Sequence, residues 1–198
     1  MMKKSLLVAI VLSTLTLSAA QAQEWRFGVE GGFAAADVGG AEAAQVLATA
    51  SGRTVTFSED SSTVALRAYA ELGITNTLAA EFGLFQTGSL DVTFASPGTT
   101  ATGRVEVDAR GFDFGLKYYA TDAIFLRAGA HYSEVSATGT VTIAGVNYSG
   151  AVDEDGFGGF LGAGFNVTDN ISVGLTYYDN LGGESDADAT FAFIGYRF

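Results

Sequence analysis

The 198-residue chain carries 22 acidic residues against 10 basic ones, no cysteine, one proline and 26 glycines. Its net charge of −12 argues against nucleic acid as a partner, and the missing cysteines exclude disulfides and thiolate metal sites. Sparse proline beside frequent aromatics fits long strands better than a helical bundle.

The chain opens on "MMKKSLLVAIVLSTLTLSAAQAQ", with Lys3 and Lys4, an apolar run from Leu6 and a small-x-small close at Ala20-Gln21-Ala22. That order is a secretory signal peptide over residues 1–22, with cleavage expected after Ala22 and a mature domain over 23–198. Removing Lys3 and Lys4 from the 10 basic residues leaves 8 against 22 acids, a mature charge of −14. No later stretch has 18 or more consecutive apolar residues, so ordinary spanning helices are not expected.

Alternation carries the remaining signal. A first strand near 24–36 sets Trp25, Phe27, Val29 and Phe33 against Arg26, Gly28, Glu30 and Gly32. A second, near 63–74, sets Val64, Leu66, Ala68, Ala70, Leu72 and Ile74 against Arg67, Tyr69, Glu71 and Gly73. In the third, Leu78, Ala80, Phe82 and Leu84 oppose Ala79, Glu81, Gly83 and Phe85, and the same parity is expected to resume at Leu90, Val92 and Phe94. The fourth sets Phe112, Phe114, Leu116 and Tyr118 against Asp113, Gly115 and Lys117, but Val105, Val107 and Ala109 have the opposite parity. A bulge near Gly111 is the expected cause. The fifth sets Ile124, Leu126, Ala128, Ala130 and Tyr132 against Phe125, Arg127, Gly129, His131 and Ser133. The sixth ends in Leu161, Ala163, Phe165 and Val167, and the seventh presents Ile171, Val173, Leu175 and Tyr177. In the eighth, the terminal "DATFAFIGYRF", Ala192, Ile194, Tyr196 and Phe198 oppose Phe191, Phe193, Gly195 and Arg197.

Three near-copies, "ITNTL", "ATDAI" and "VTDNI", centre on Asn76, Asp122 and Asp169 at spacings of 46 and 47 residues. Each interval holds two strands and a longer connection, an up-and-down arrangement with short turns at one end and long loops at the other. One face of each strand is apolar and nearly free of charge, whereas the other mixes charge, glycine and tyrosine. Lipid outside and a polar interior account for this. Backbone groups in hydrocarbon must pair internally, so the strands must close. The expected fold is all-β, an eight-stranded antiparallel up-and-down transmembrane β-barrel after a cleaved signal peptide. Its interior set is Arg26, Glu30, Arg67, Glu71, Glu81, Asp113, Lys117, Arg127 and Arg197, read as a salt-bridge network. The alternative is a narrow charge-lined pore.

The phrases "FIGYRF", "YYATDAIFLRAGA" and "FNVTDNISVGLTYY", with the eight-strand layout, resemble the outer-membrane protein A transmembrane-domain superfamily of Gram-negative bacteria, which includes opacity-type proteins. The resemblance implies an integral outer-membrane location, contact with lipid and lipopolysaccharide, and a C-terminal signal at Ile194, Tyr196 and Phe198 read by the barrel-assembly machinery. Because the sequence stops at Phe198, the peptidoglycan-binding domain of longer members is not expected. Barrels of this type place short turns in the periplasm and long loops outside. The loops are expected at 37–62, 95–103, 137–151 and 180–188, with a short helix in "AEAAQVLATASG" and a hairpin around Ala144-Gly145. Long loops carry function, and here they offer contact with a surface ligand.

No cofactor, discrete metal site or catalytic residue is expected. Acids gather at Glu59-Asp60, Asp153-Glu154-Asp155 and Glu184-Ser185-Asp186-Ala187-Asp188, without the spacing of a twelve-residue calcium loop. They read as solvation beside an anionic lipopolysaccharide surface. His131 and Ser133 share a strand face, and the His-x-Ser pair resembles that of outer-membrane lipid A deacylases. There the pair faces lipid, whereas here parity turns it inward, and Glu134 stands where that family carries asparagine. "GFGGFLGAGF" lacks the strand-turn-helix setting that phosphate binding requires. The sequence therefore points to a non-enzymatic envelope protein with an adhesin-like role.

Overall fold

The computed structural model describes residues 24–36, 40–98, 101–143, 145–183 and 187–198. The expected leader lies outside these residues, as do small parts of the four long loops. In chain order the elements are β1 (Trp25–Ala36), α1 (Gly40–Ser51), β2 (Thr56–Glu59), β3 (Ser62–Gly73), β4 (Leu78–Thr87), β5 (Leu90–Ala95), β6 (Thr102–Tyr119), β7 (Ile124–Ile143), β8 (Val146–Asn166), β9 (Ile171–Leu181) and β10 (Ala187–Arg197). Antiparallel pairing runs β1-β3-β4-β6-β7-β8-β9-β10, and β10 returns to β1 from Gly28↔Arg197 to Ala36↔Ala189. The sheet closes on itself as an eight-staved barrel, with β4 and β5 forming one stave. The short β2, not expected from the sequence, adds to the outer edge of β5, and α1 lies against β2.

Alternation determines which side each residue faces. Phe27, Val64, Phe114, Leu126, Leu175 and Ile194 stand exposed on the outer surface, whereas Glu30, Arg67, Glu81, Asp113, Lys117 and Arg127 are buried inside. An outer skin of exposed phenylalanine and leucine is unstable in water and stable in hydrocarbon. Along β7 this skin runs from Ile124 to Tyr132. At about 3.4 Å per residue and a strand tilt near 40°, it rises about 21 Å, most of the ~25 Å apolar band of such barrels.

The expected bulge near Gly111 is absent. β6 pairs with β7 in unbroken register from Thr102↔Thr142 to Tyr119↔Phe125. The irregularity lies on the neighbouring stave, where Gln86 faces Arg110 and Leu90 faces Val107, so Thr87, Gly88 and Ser89 stand against only Asp108 and Ala109. The Thr87 hydroxyl accepts the Ala109 N–H at 2.9 Å, filling the broken ladder, and a Cβ on Gly88 would come within 2.7 Å of Thr63 Oγ1. The extra residue inverts the parity of the stave. Leu90 and Val92, expected to face outward with Leu84, are instead 5% and 2% exposed.

The three near-copy turns are built alike. Thr75 Oγ1 accepts the N–H groups of Thr77 and Leu78, Thr121 Oγ1 those of Ala123 and Ile124, and Thr168 Oγ1 those of Asn170 and Ile171. The threonine before each central Asn or Asp closes the turn by a local side-chain bond. At the opposite end the staves differ in height. β6, β7 and β8 extend well past the apolar skin and, with β5 and β2, form a five-stranded wall. The expected hairpin is its crest, with Gly145 at φ +80° between Ile143 and Val146.

Candidate functional site

The lumen is filled in three layers. The lowest opens below as a cavity of about 210 Å³ lined by Glu24, Arg26, Glu71, Thr75, Asn76 and Tyr119 among others. Arg26, partly exposed, pairs with Glu24 at 2.8 Å and approaches Glu71 at 3.6 Å. Arg197 stands at the same rim, where Nε donates to the Asp169 carbonyl at 3.1 Å, so the chain places it beside the expected network and not in its centre.

The middle layer joins seven buried charges from β1, β3, β4, β6 and β7. Arg67 donates from Nη2 to Glu81 at 2.7 Å and Asp113 at 2.6 Å, from Nε to Asp113 at 2.8 Å and from Nη1 to Glu30 at 3.2 Å. Arg127 Nη1 donates to both oxygens of Glu30 at 2.8 and 3.0 Å, and its Nε donates to Thr176 Oγ1 at 2.8 Å. Lys117 Nζ lies 3.1 Å from Glu71 Oε2, 3.3 Å from Glu81 and 4.3 Å above the Phe125 ring. Its position relative to Glu71 Oε2 is off the hydrogen-bond line, so that oxygen is held by charge alone. Tyr119 donates to Glu71 at 2.7 Å and Tyr178 to Asp113 at 3.1 Å. Three buried cations face four buried carboxylates, and Arg26 completes the balance from below. Such pairs persist in a dry interior only when hydrogen bonds offset the desolvation of each ion.

Room for these side chains comes from residues that lack one. A Cβ on Gly83 would stand 2.5 Å from Arg67 Nε and 2.6 Å from Asp113 Oδ1, in the place the guanidinium occupies. The tyrosines and Thr176 were legible in principle, since they share inward parity with the charges. Charge alone did not identify them.

The upper layer is apolar. Ala34, Ala65, Leu181, Ala189 and Phe191 are buried there, with Phe85 and Tyr178 in ring contact at 5.1 Å and a residual space of about 20 Å³ between them. Leu181 arrives because the chain bends inward after β9, with Asn180, Gly182 and Gly183 at positive φ. His131 and Ser133, both buried, hold that bend. His131 Nε2 lies 2.7 Å from the Asp179 carbonyl, and Ser133 Oγ accepts the Gly182 N–H at 3.0 Å. They do not bond each other as a nucleophile and base must.

The wall has the opposite polarity. Its inner face carries Leu90, Val92, Val105, Val107, Val135 and Val141, and its outer face carries Arg104, Glu106, Asp108, Thr138, Thr140 and Thr142. Arg104 donates to both oxygens of Asp91, at 3.0 and 2.8 Å, and holds that carboxyl below the usual carboxylate range. Among the described residues no group of three or more His, Cys, Asp or Glu is placed to hold a metal ion.

A closed antiparallel ring with an apolar skin and a charged lumen defines a transmembrane β-barrel of the outer-membrane type. Residues 7–198 match the outer membrane protein beta-barrel domain, and the chain belongs to that family, which places it in the outer membrane of a Gram-negative bacterium. Among solved structures it is similar to Ail, the attachment invasion locus protein of Yersinia pestis, with 14% identity over 88% of this chain and 99% of that one and a TM-score of 0.53. The same protein in complex with the heparin analogue sucrose octasulfate matches at 13% identity, equal coverage and a TM-score of 0.52. OprG from Pseudomonas aeruginosa follows at 13% identity over 89% of this chain and 97% of that one, with a TM-score of 0.47. These likenesses concern the fold. No curated relative matches the sequence.

Proposed function

We propose that this protein is a closed, non-enzymatic barrel that supports the envelope and displays its wall for surface contact in the manner of an adhesin. The observation that carries the reading is the double seal of the lumen, ion pairs in the middle and packed aromatic and aliphatic side chains above. Ala34, Ala65, Leu181, Ala189 and Phe191 offer water no side-chain hydrogen bonds in the apolar layer. His131 and Ser133 are committed to the backbone after β9, which supports a structural role for the pair. In this reading residues 1–22 are the export leader. Ile194, Tyr196 and Phe198, all on the lipid side, serve as the assembly signal. The sulfated sugar bound by Ail does not transfer, because the acids of this wall disfavour a polyanion. A neutral or cationic surface is the better fit.

The test is planar-bilayer conductance of the refolded mature chain, after heat-dependent gel mobility has confirmed the barrel. Wild type and Leu181→Ala are expected to be silent. Reproducible steps from the wild-type barrel would establish the narrow pore instead. Lipid A acylation is expected to be the same with wild type and with a His131→Ala, Ser133→Ala double variant.

A further inference from the structure

The histidine that holds the bend after β9 is the only one in the chain, and it is buried. Its two ring nitrogens meet different surroundings. The Asp179 carbonyl, 2.7 Å from Nε2, can only accept, so Nε2 carries a hydrogen and donates it. Nδ1 is buried and has no hydrogen-bond partner among the described residues. In the neutral ring this nitrogen is an unused acceptor. In the cation it becomes an N–H with nothing to receive it, which costs more because a charge is buried with it.

We propose that His131 is a proton-operated latch on the upper seal. Neutral, it holds the bend and keeps Leu181 in the lumen; in acid it takes a second proton on Nδ1, leaves the Asp179 carbonyl and releases the bend. The neighbours favour the neutral ring while the bend is closed. Phe85 on β4 and Tyr178 on β9 stand edge-on to the imidazole, with centroids 6.2 and 5.4 Å away. Gly158 on β8 lies so near that a Cβ there would come within 2.5 Å of Nε2. Asp113 on β6 is the cross-strand partner, but its two oxygens already accept from Arg67 of β3 and from the Tyr178 hydroxyl. Arg127, four residues below on the same face of β7, adds like charge. The Asp179 carboxylate is turned to the Gly159 N–H. The closed bend thus binds one proton fewer than an open one in which the ring meets water, so closure is favoured as the pH rises and lost as it falls. The proposal rests on the sealed-lumen reading, which it makes conditional on pH.

Amide exchange at Gly182, whose N–H donates to Ser133 Oγ inside the bend, decides it. The mature chain is refolded into phospholipid nanodiscs, and protection relative to an unstructured peptide is compared at about pH 7.5 and about pH 5, the interval in which histidine changes charge. Protection at Gly182 is expected to fall about tenfold or more, with a ceiling of about tenfold per pH unit for one linked proton, while Gly174 in the paired body of β9 keeps its protection. In His131→Gln the side-chain amide still donates to the carbonyl but takes no proton, and protection is expected to be the same at both pH values. The other titratable groups at the bend are Asp179 and Asp188, the latter accepting the Asn180 N–H at 3.2 Å and the Tyr177 hydroxyl at 2.5 Å. A loss that persists in His131→Gln would assign the switch to those carboxylates and overturn the proposal, as would equal protection at both pH values in the wild type. If glutamine fails to hold the bend even at the higher pH, nitrogen NMR of the wild-type ring decides: a single ring proton on Nε2 with the bend closed supports the latch, and a doubly protonated ring in a closed bend overturns it. Conductance at neutral pH reports on the seal separately, so failure of the seal and failure of the latch are told apart.

Discussion

The lower and upper halves of β6 and β7 are one pair of strands in unbroken register, yet their polarity is reversed. Below Arg110 the inward residues are Asp113, Lys117, Arg127 and His131, and the outward ones are Phe112, Phe114, Leu126 and Ala128. Above it the inward residues are Val105, Val107, Val135 and Ala137, and the outward ones are Arg104, Glu106, Asp108 and Thr138. Nothing in the backbone changes at the crossing. The solvent changes, from hydrocarbon to water, and the buried side has to change with it. A switch in hydrophobic parity therefore has two physical causes, a bulge that moves side chains or a boundary that moves the solvent. Both occur here, side by side, on β4-β5 and on β6.

The largest effect that sharpens this comparison lies in the lower interior. Arg67→Ala leaves Glu30, Glu81 and Asp113 buried without the cation that joins them, and it should cost about 3–5 kcal/mol or prevent folding. The urea midpoint of heat-dependent gel mobility measures this. Next, Leu116→Arg places a charge at mid-height on the lower outer face and should destabilise by about 2–4 kcal/mol in bilayers, whereas Thr140→Arg, outward but above the boundary, should leave the midpoint in place. An equal loss from both would mean that the apolar band reaches higher than described. Third, Thr121→Val removes the acceptor for two turn N–H groups and should cost about 1 kcal/mol by the same assay, with matching losses for Thr75→Val and Thr168→Val. The smallest effect is Arg104→Ala, which should leave stability unchanged while the Asp91 carboxyl titrates higher, as read by carbon-detected NMR.

The parts legible in the sequence are those that period two controls. The closed barrel, its eight staves and the inward residues Glu30, Arg67, Glu81, Asp113, Lys117 and Arg127 follow from alternation once lipid is placed outside. Arg197 shares that parity but sits at the rim, because parity assigns a side and not a height. Val105, Val107 and Ala109 signal a bulge as strongly as Thr87-Gly88-Ser89 do, and only the register of both neighbours separates the two cases. Parity turns His131 and Ser133 inward, where both are buried. Their partners, the Asp179 carbonyl and the Gly182 N–H, are backbone groups that no side-chain pattern reveals.

The unequal height of the staves gives the molecule a heading. A barrel with a level rim looks the same to neighbours on every side. Here β5 to β8 rise as a screen, whereas β9, β10, β1 and β3 end low. Rotation about the membrane normal therefore changes what an adjacent molecule meets. A crowded leaflet would sort such proteins by orientation as well as by position, and an approaching cell surface would reach the low rim from one bearing and the screen from the other.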